Sequence, residues 1–208
     1  MKRITTLLAI FLITHVPFGC ADDCGSFTPM EARISDLGAT VGSFSSNEFS
    51  TSTNEDFSLA AIQVTIEEMD YSAVAGTLKR NLSLIGAVYA CIPPEPEPTQ
   101  AIVSIEITST SSVFLGNQEY PAGENLVDFF SISKYANVSS DTTIDEFIQL
   151  QKNDLWLFGY QGDHIVFQLS EKPDEQFNQQ FYIKFKFSDS EEVTAEIPNF
   201  AVSNQSFS

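Results

Sequence analysis

The chain has 208 residues, 43% of them hydrophobic and 12% aromatic, and a formal net charge of −18. That is enough for one buried core and too little for two of ordinary size. Ten Lys and Arg against 28 Asp and Glu exclude a nucleic-acid binder and a protein held to anionic lipid by charge, since both need surplus cations. An acidic exterior suits an exported, soluble surface, and leaves calcium or a basic partner open.

In chain order, Lys2 and Arg3 come first, then an apolar run from Ile4 to Val16 broken by Thr5, Thr6, Thr14 and His15. The run is too short to span a bilayer and has the form of a signal peptide over residues 1–19. No later apolar run approaches the ~20 residues of a spanning helix, so any membrane tie is expected at this end. Gly19-Cys20 closes the segment and resembles a bacterial lipobox. The resemblance implies that Cys20 becomes the mature N-terminus and carries acyl chains. Pro17 and Phe18 depart from the usual lipobox residues, and ordinary cleavage after Ala21 is the alternative.

Three cysteines are present: Cys20, Cys24 and Cys91. If Cys20 takes lipid, Cys24 and Cys91 remain, and an oxidising compartment favours a disulfide over two unpaired thiols. A loop of that length would stabilise the fold by ~4 kcal/mol on the chain-entropy account. A zinc site is the weaker reading, because the spacing is wrong and His164 alone follows the signal segment. Asp22 and Asp23 resemble the signal that sends Bacteroidota lipoproteins to the outer face of the outer membrane. The expected location is therefore the cell outer membrane, lipid-anchored and facing the exterior.

Residues 20–208 read as one domain behind a tether of about residues 20–30. Ser43 to Phe57, rich in Ser, Thr and Asn, reads as an exposed flexible loop. Ile62, Val64 and Ile66 alternate with polar residues, the period of a half-buried strand. Leu82 to Tyr89 is a denser apolar run, expected to be a central strand. In Pro93-Pro94-Glu95-Pro96-Glu97-Pro98 strand pairing should stop in favour of polyproline II. Val103, Ile105 and Ile107 alternate again. Thr143-Ile144-Asp145-Glu146 fits a capping box and predicts one short helix from about Ile144 to Gln151, with Ile144, Phe147 and Ile148 on its buried face. Ile165, Phe167 and Leu169 form another strand. Phe181, Ile183, Phe185 and Phe187 oppose Tyr182, Lys184 and Lys186; after Ser188-Asp189-Ser190 the pattern resumes at Val193, Ala195 and Ile197, a hairpin. So much one-sided strand is most economically covered by a second sheet. The expected fold is all-β: an antiparallel β-sandwich, immunoglobulin-like or transthyretin-like, with one short helix.

Tyr89-Ala90-Cys91, the Pro-rich stretch, Ile102 to Ile107, Tyr120-Pro121-Ala122-Gly123 and Leu126 to Phe130 together resemble a family of Bacteroidota cell-envelope lipoproteins whose domain has no assigned function. The later helix and final hairpin fit the same pattern. The resemblance implies a signal peptide, a lipidated Cys and a β-rich domain, and no activity.

Catalytic chemistry is poorly served. Ser or Cys nucleophiles want a His base, and His164 opens an alternating strand, where a surface histidine is ordinary. The sequence holds no G-x-S-x-G, H-E-x-x-H or phosphate-loop motif. Asp145 and Glu146, or Glu191 and Glu192, are adjacent acids whose side chains diverge on regular structure, which makes them poor hydrolase pairs. Asp189, Glu191 and Glu192 would suit calcium by ligand type but lack EF-hand spacing. If Trp156-Leu157-Phe158-Gly159-Tyr160 is extended, Trp156, Phe158 and Tyr160 share one face and can stack on sugar rings, with Asn153 and Gln161 for hydroxyls; the competing reading is that these rings are core. Asp141-Thr142-Thr143 resembles the O-glycosylation signal of Bacteroidota exported proteins, with Thr142 as acceptor. The expectation is a non-enzymatic surface lipoprotein acting in binding or envelope assembly, with no cofactor, no metal and no nucleic acid. A carbohydrate-binding accessory lipoprotein is the alternative, and a carboxylate hydrolase comes last.

Overall fold

The computed structural model describes residues 29–52, 55–74, 95–136 and 138–203. Residues 1–19, expected to be a signal peptide, and Cys20, Cys24, Cys91, the Leu82 to Tyr89 run and Pro93-Pro94 lie outside the described residues. The chain divides into one unit of residues 1–29 and 74–95 and another of residues 30–73 and 96–208, and the architecture below is that of the second.

It is an all-β, sandwich-like fold with one α-helix among the described residues. The larger sheet contains β1 (Met30–Ser45), β2 (Glu48–Thr51), β4 (Ala60–Ala73), β9 (Phe130–Tyr135), β10 (Val138–Thr143) and β11 (His164–Leu169), in the order β10-β9-β11-β4-β1-β2. The two-residue β5 (Glu97–Pro98) joins β1 in parallel. The smaller sheet orders β3 (Glu55–Asp56), β13 (Glu192–Ser203), β12 (Phe177–Phe187) and β6 (Ile102–Ser109), and β7 (Val113–Leu115) and β8 (Gln118–Tyr120) make a separate hairpin. Apart from the two-residue pairs at β5 and β3, every strand pair is antiparallel.

The period-two pattern sets which side of each sheet is buried. In β12, Phe181, Ile183, Phe185 and Phe187 point into the core while Lys186 is exposed and Lys184 half-buried. Facing them from the larger sheet are Ile62, Val64 and Ile66 of β4 and Ile165 and Phe167 of β11. The sheets meet through rings: Phe167 stands edge-on to Phe185 at 6.3 Å and Phe130 edge-on to Phe181 at 6.4 Å. Each fully buried ring of this kind contributes roughly 1.5–3 kcal/mol of burial energy.

The helix α1 (Ile144–Asn153) starts where the capping box put it. The Thr143 hydroxyl accepts from Glu146 N at 3.3 Å, and the Glu146 carboxylate accepts from Thr143 N at 3.1 Å. Ile144, Phe147, Ile148 and Gln151 form its buried face.

Three sequence expectations are corrected. Ser43 to Phe57 is not a loop throughout: Ser43 to Ser45 complete β1, and Ser46-Asn47, both with positive φ, turn the chain into β2. Consecutive positive φ values make the tight turn whose twist suits a hairpin, and the Ser43 and Ser50 hydroxyls bond across it at 2.9 Å. Val103 does not alternate inward with Ile105 and Ile107 but is 54% exposed. A bulge between Lys186 and Phe187 in the β12–β6 register lets Ile102 take the inner position instead. Glu97-Pro98 still pairs, as β5 against Glu31 and Ala32 of β1; a proline is tolerated on such an edge.

Candidate binding site

The segment after α1 decides where the aromatic side chains point. Asp154 accepts from Trp156 N through its carboxylate at 3.2 Å, which opens a 3-10 turn over Leu155–Phe158 instead of a strand. Short polar side chains favour such caps because they satisfy an otherwise orphaned N–H. Gly159 closes the turn. A Cβ there would lie 2.5 Å from Leu155 O and 2.7 Å from the Pro98 ring, so only glycine lets the turn settle against β5. The Asp163 carboxylate then receives Gly159 N at 3.0 Å and Tyr160 N at 2.9 Å.

The expected single face of Trp156, Phe158 and Tyr160 is therefore split. On a 3-10 turn, residues two apart diverge, where on a strand they would align. Phe158 is wholly buried and stacks on Phe185 at 5.8 Å. Trp156 is 51% exposed, and its ring lies 4.7 Å from Tyr160 at an interplanar angle of 33°. Beside the indole, Glu97, Pro98, Asn153, Asp154 and Leu155 line a depression of about 330 Å³. An exposed indole next to an amide and two carboxylates offers an apolar face and hydrogen-bonding groups together. That combination suits a ligand with one apolar face and a rim of hydroxyls.

Two further depressions are present among the described residues. One, of about 630 Å³, lies along the helix flank and is lined among others by Asp141, Asp145, Glu146, Gln149 and Asn153. The other, of about 570 Å³, lies on the outer side of the larger sheet and is lined chiefly by hydroxyls and amides, among them Ser131, Ser133, Ser139, Gln168 and Ser170. Ser133 Oγ donates to Gln168 Oε1, and Gln168 Nε2 reaches Phe44 O at 3.4 Å. Phe44 and Phe49 of the β1–β2 hairpin pack over Ala61 and Val166 beside it.

The other residues singled out by sequence have structural partners. Gln161 does not turn to the Trp156 depression but donates to Glu67 O at 2.8 Å. His164 is half-buried at the start of β11, an interior strand between β9 and β4. Asp189 and Glu191 both accept from the Gln100 amide, at 2.9 and 3.1 Å, with Arg33 at 3.8 Å from each. Glu192 lies on Lys184 and Lys186 instead. Among the described residues no group of three or more His, Cys, Asp or Glu is placed to hold a metal ion. The Glu146 carboxylate accepts from Thr143 N and the Thr143 hydroxyl in the helix cap. Thr142 is only 7% exposed, on β10 against β9, which leaves its hydroxyl little room for a glycan. Lys184 has its ammonium held above the ordinary lysine pKa by its hydrogen bond and charge pairing with Glu106, 2.8 Å away. Among the described residues no helix is long and apolar enough to cross a membrane.

Sequence reasoning missed the hydroxyl-lined depression. Ser131 and Gln168 are far apart in the chain and become neighbours only through the β9–β11 pairing. No local pattern encodes that meeting.

No family model and no curated protein matches this sequence. Among solved structures, the C-terminal domain of the Streptococcus agalactiae AgI/II polypeptide BspA is similar at 9% identity and a TM-score of 0.26, over 80% of this chain and 49% of that one. The chain thus spans about half the length of that structure, and a likeness so slight carries no argument.

Proposed function

We propose that this is an outer-membrane lipoprotein, anchored through Cys20, that works by binding and not by catalysis, and that its ligand is carbohydrate held on the Trp156–Tyr160 ring pair. The observation that carries the ligand class is the exposure of Trp156: a 51% exposed indole, braced by Tyr160 and set beside Asn153 and Asp154. Tryptophan and tyrosine each join an apolar ring to a polar group, which suits the pair to a ligand that is apolar on one face and wet at its rim. The anchor is supported by the positive start, the short apolar run and Gly19-Cys20. The anionic surface suits a neutral ligand better than a phosphorylated one.

Two experiments test the parts separately. Mass spectrometry of the native protein is expected to show Cys20 as an acylated N-terminus; an intact Met1 would refute the anchor. Affinity electrophoresis through gels containing neutral polysaccharides is expected to retard the wild type and not Trp156→Ala. Equal mobility of the two proteins in every gel would refute the carbohydrate reading.

A further inference from the structure

We infer that the Trp156 depression is one end of a continuous furrow that takes a linear, neutral, polyhydroxylated chain several rings long, an inference that rests on the carbohydrate reading above. The three depressions share walls. Asn153 lines both the Trp156 depression and the one on the helix flank, and Asp141 lines both the helix-flank depression and the hydroxyl-rich one. Thr143, the N-cap of helix α1, lines the hydroxyl-rich depression, and Asn153, the last residue of α1, lines the Trp156 one. Ten helical residues span about 15 Å, longer than one sugar ring. Asp145, Gln149 and Asn153, spaced by four, form a row along that flank.

The lining selects the chemistry of the chain. At one end an indole offers a stacking face. In the middle, the carboxylates of Asp141 and Asp145 accept hydrogen bonds and repel anions, beside apolar surface from Tyr135 and Leu150. At the far end, serine hydroxyls both donate and accept, and the Ser133–Gln168 bond holds part of that surface in place before any ligand arrives. Among the described residues no Lys or Arg lines any of the three depressions, and these residues offer a uronic, sulfated or phosphorylated polymer no counter-charge within the lining. A basic peptide would satisfy the carboxylates and set a cation over the indole, but its cationic side chains only donate, whereas the serine hydroxyls at the far end both donate and accept. A neutral polyol uses all three.

The test is isothermal titration calorimetry of the full chain, at physiological salt, with neutral glucose, mannose, galactose and N-acetylglucosamine oligomers of increasing length from two to six units. Within the recognised series, affinity is expected to rise roughly tenfold or more from the disaccharide to the hexasaccharide. Gln149→Tyr, at an exposed helix position in the middle of the furrow, is expected to remove that gain, so that disaccharide and hexasaccharide bind alike. A circular-dichroism melt of the variant confirms the fold. Equal affinity for disaccharide and hexasaccharide would overturn the furrow and leave the Trp156 reading standing. Binding of no oligomer would overturn both. Binding of an oligolysine peptide alone, weakened by added salt, would overturn the neutral chain in favour of a basic partner.

Discussion

Gln151, wholly buried on α1, accepts the N–H of Ile102 at 2.8 Å and returns its own amide N–H to Gln100 O at 3.2 Å. One side chain thus does for the outer edge of β6 what a neighbouring strand would do. Further along the same edge, Asn125 accepts from Ile107 N at 3.0 Å and Leu126 N donates to Ile107 O at 2.7 Å. An edge strand with unpaired backbone groups invites pairing with another chain; here helix and loop occupy it.

Gln151→Leu keeps the volume and removes both hydrogen bonds. Two buried backbone groups are left unsatisfied, at about 1–3 kcal/mol each. Urea denaturation is expected to show a loss of several kcal/mol, with the variant more prone to associate through β6. A loss below about 0.5 kcal/mol would mean water replaces the amide without penalty.

Neighbouring aromatics should behave oppositely. Phe158→Ala empties a core site and is expected to cost about 3–5 kcal/mol. Trp156→Ala, half in solvent, is expected to change stability by less than about 1 kcal/mol. Thermal melts of the two variants check this contrast, and equal losses would place the indole in the core.

These aromatics also mark where the sequence was legible. Strand β12 was readable because four aromatic and aliphatic residues alternate without a breaker, and α1 because its capping box is local. Trp156 to Tyr160 has the same period of two, yet Asp154 caps a turn and Gly159 must pass Pro98, a tertiary contact that no local pattern carries. Val103 was misread because one bulge shifts the face of a strand, and Ser46-Asn47 because this pair is an uncommon occupant of its turn. The hydroxyl-rich end of the furrow arises from strand pairing alone.

The helix cap gives a cleaner local test. Thr143→Ala removes the acceptor for Glu146 N and one partner of the Glu146 carboxylate. The expected loss is about 1 kcal/mol, read as a lower urea midpoint with an unchanged slope. Thr143→Ser is expected to restore most of it.

Lys184 and Glu106 supply a pH dependence whose sign is fixed. The lysine pKa is raised in the fold, so the pair's contribution is complete below the ordinary lysine value of about 10.4 and fades as pH rises through the higher folded value. The stability difference between wild type and Lys184→Met is expected to be constant from neutral pH to about pH 9 and to shrink only in stronger alkali. A difference that vanished near pH 7 would contradict the pairing.

Because Trp156 is the single tryptophan, its fluorescence reports one place. The most direct measurement is acrylamide quenching of that emission, with and without the neutral oligosaccharide that binds best. The account predicts strong quenching in the free protein and clear protection, with a blue shift, when the sugar is bound. An emission that acrylamide barely touches, or quenching that a bound sugar leaves unchanged, would contradict it.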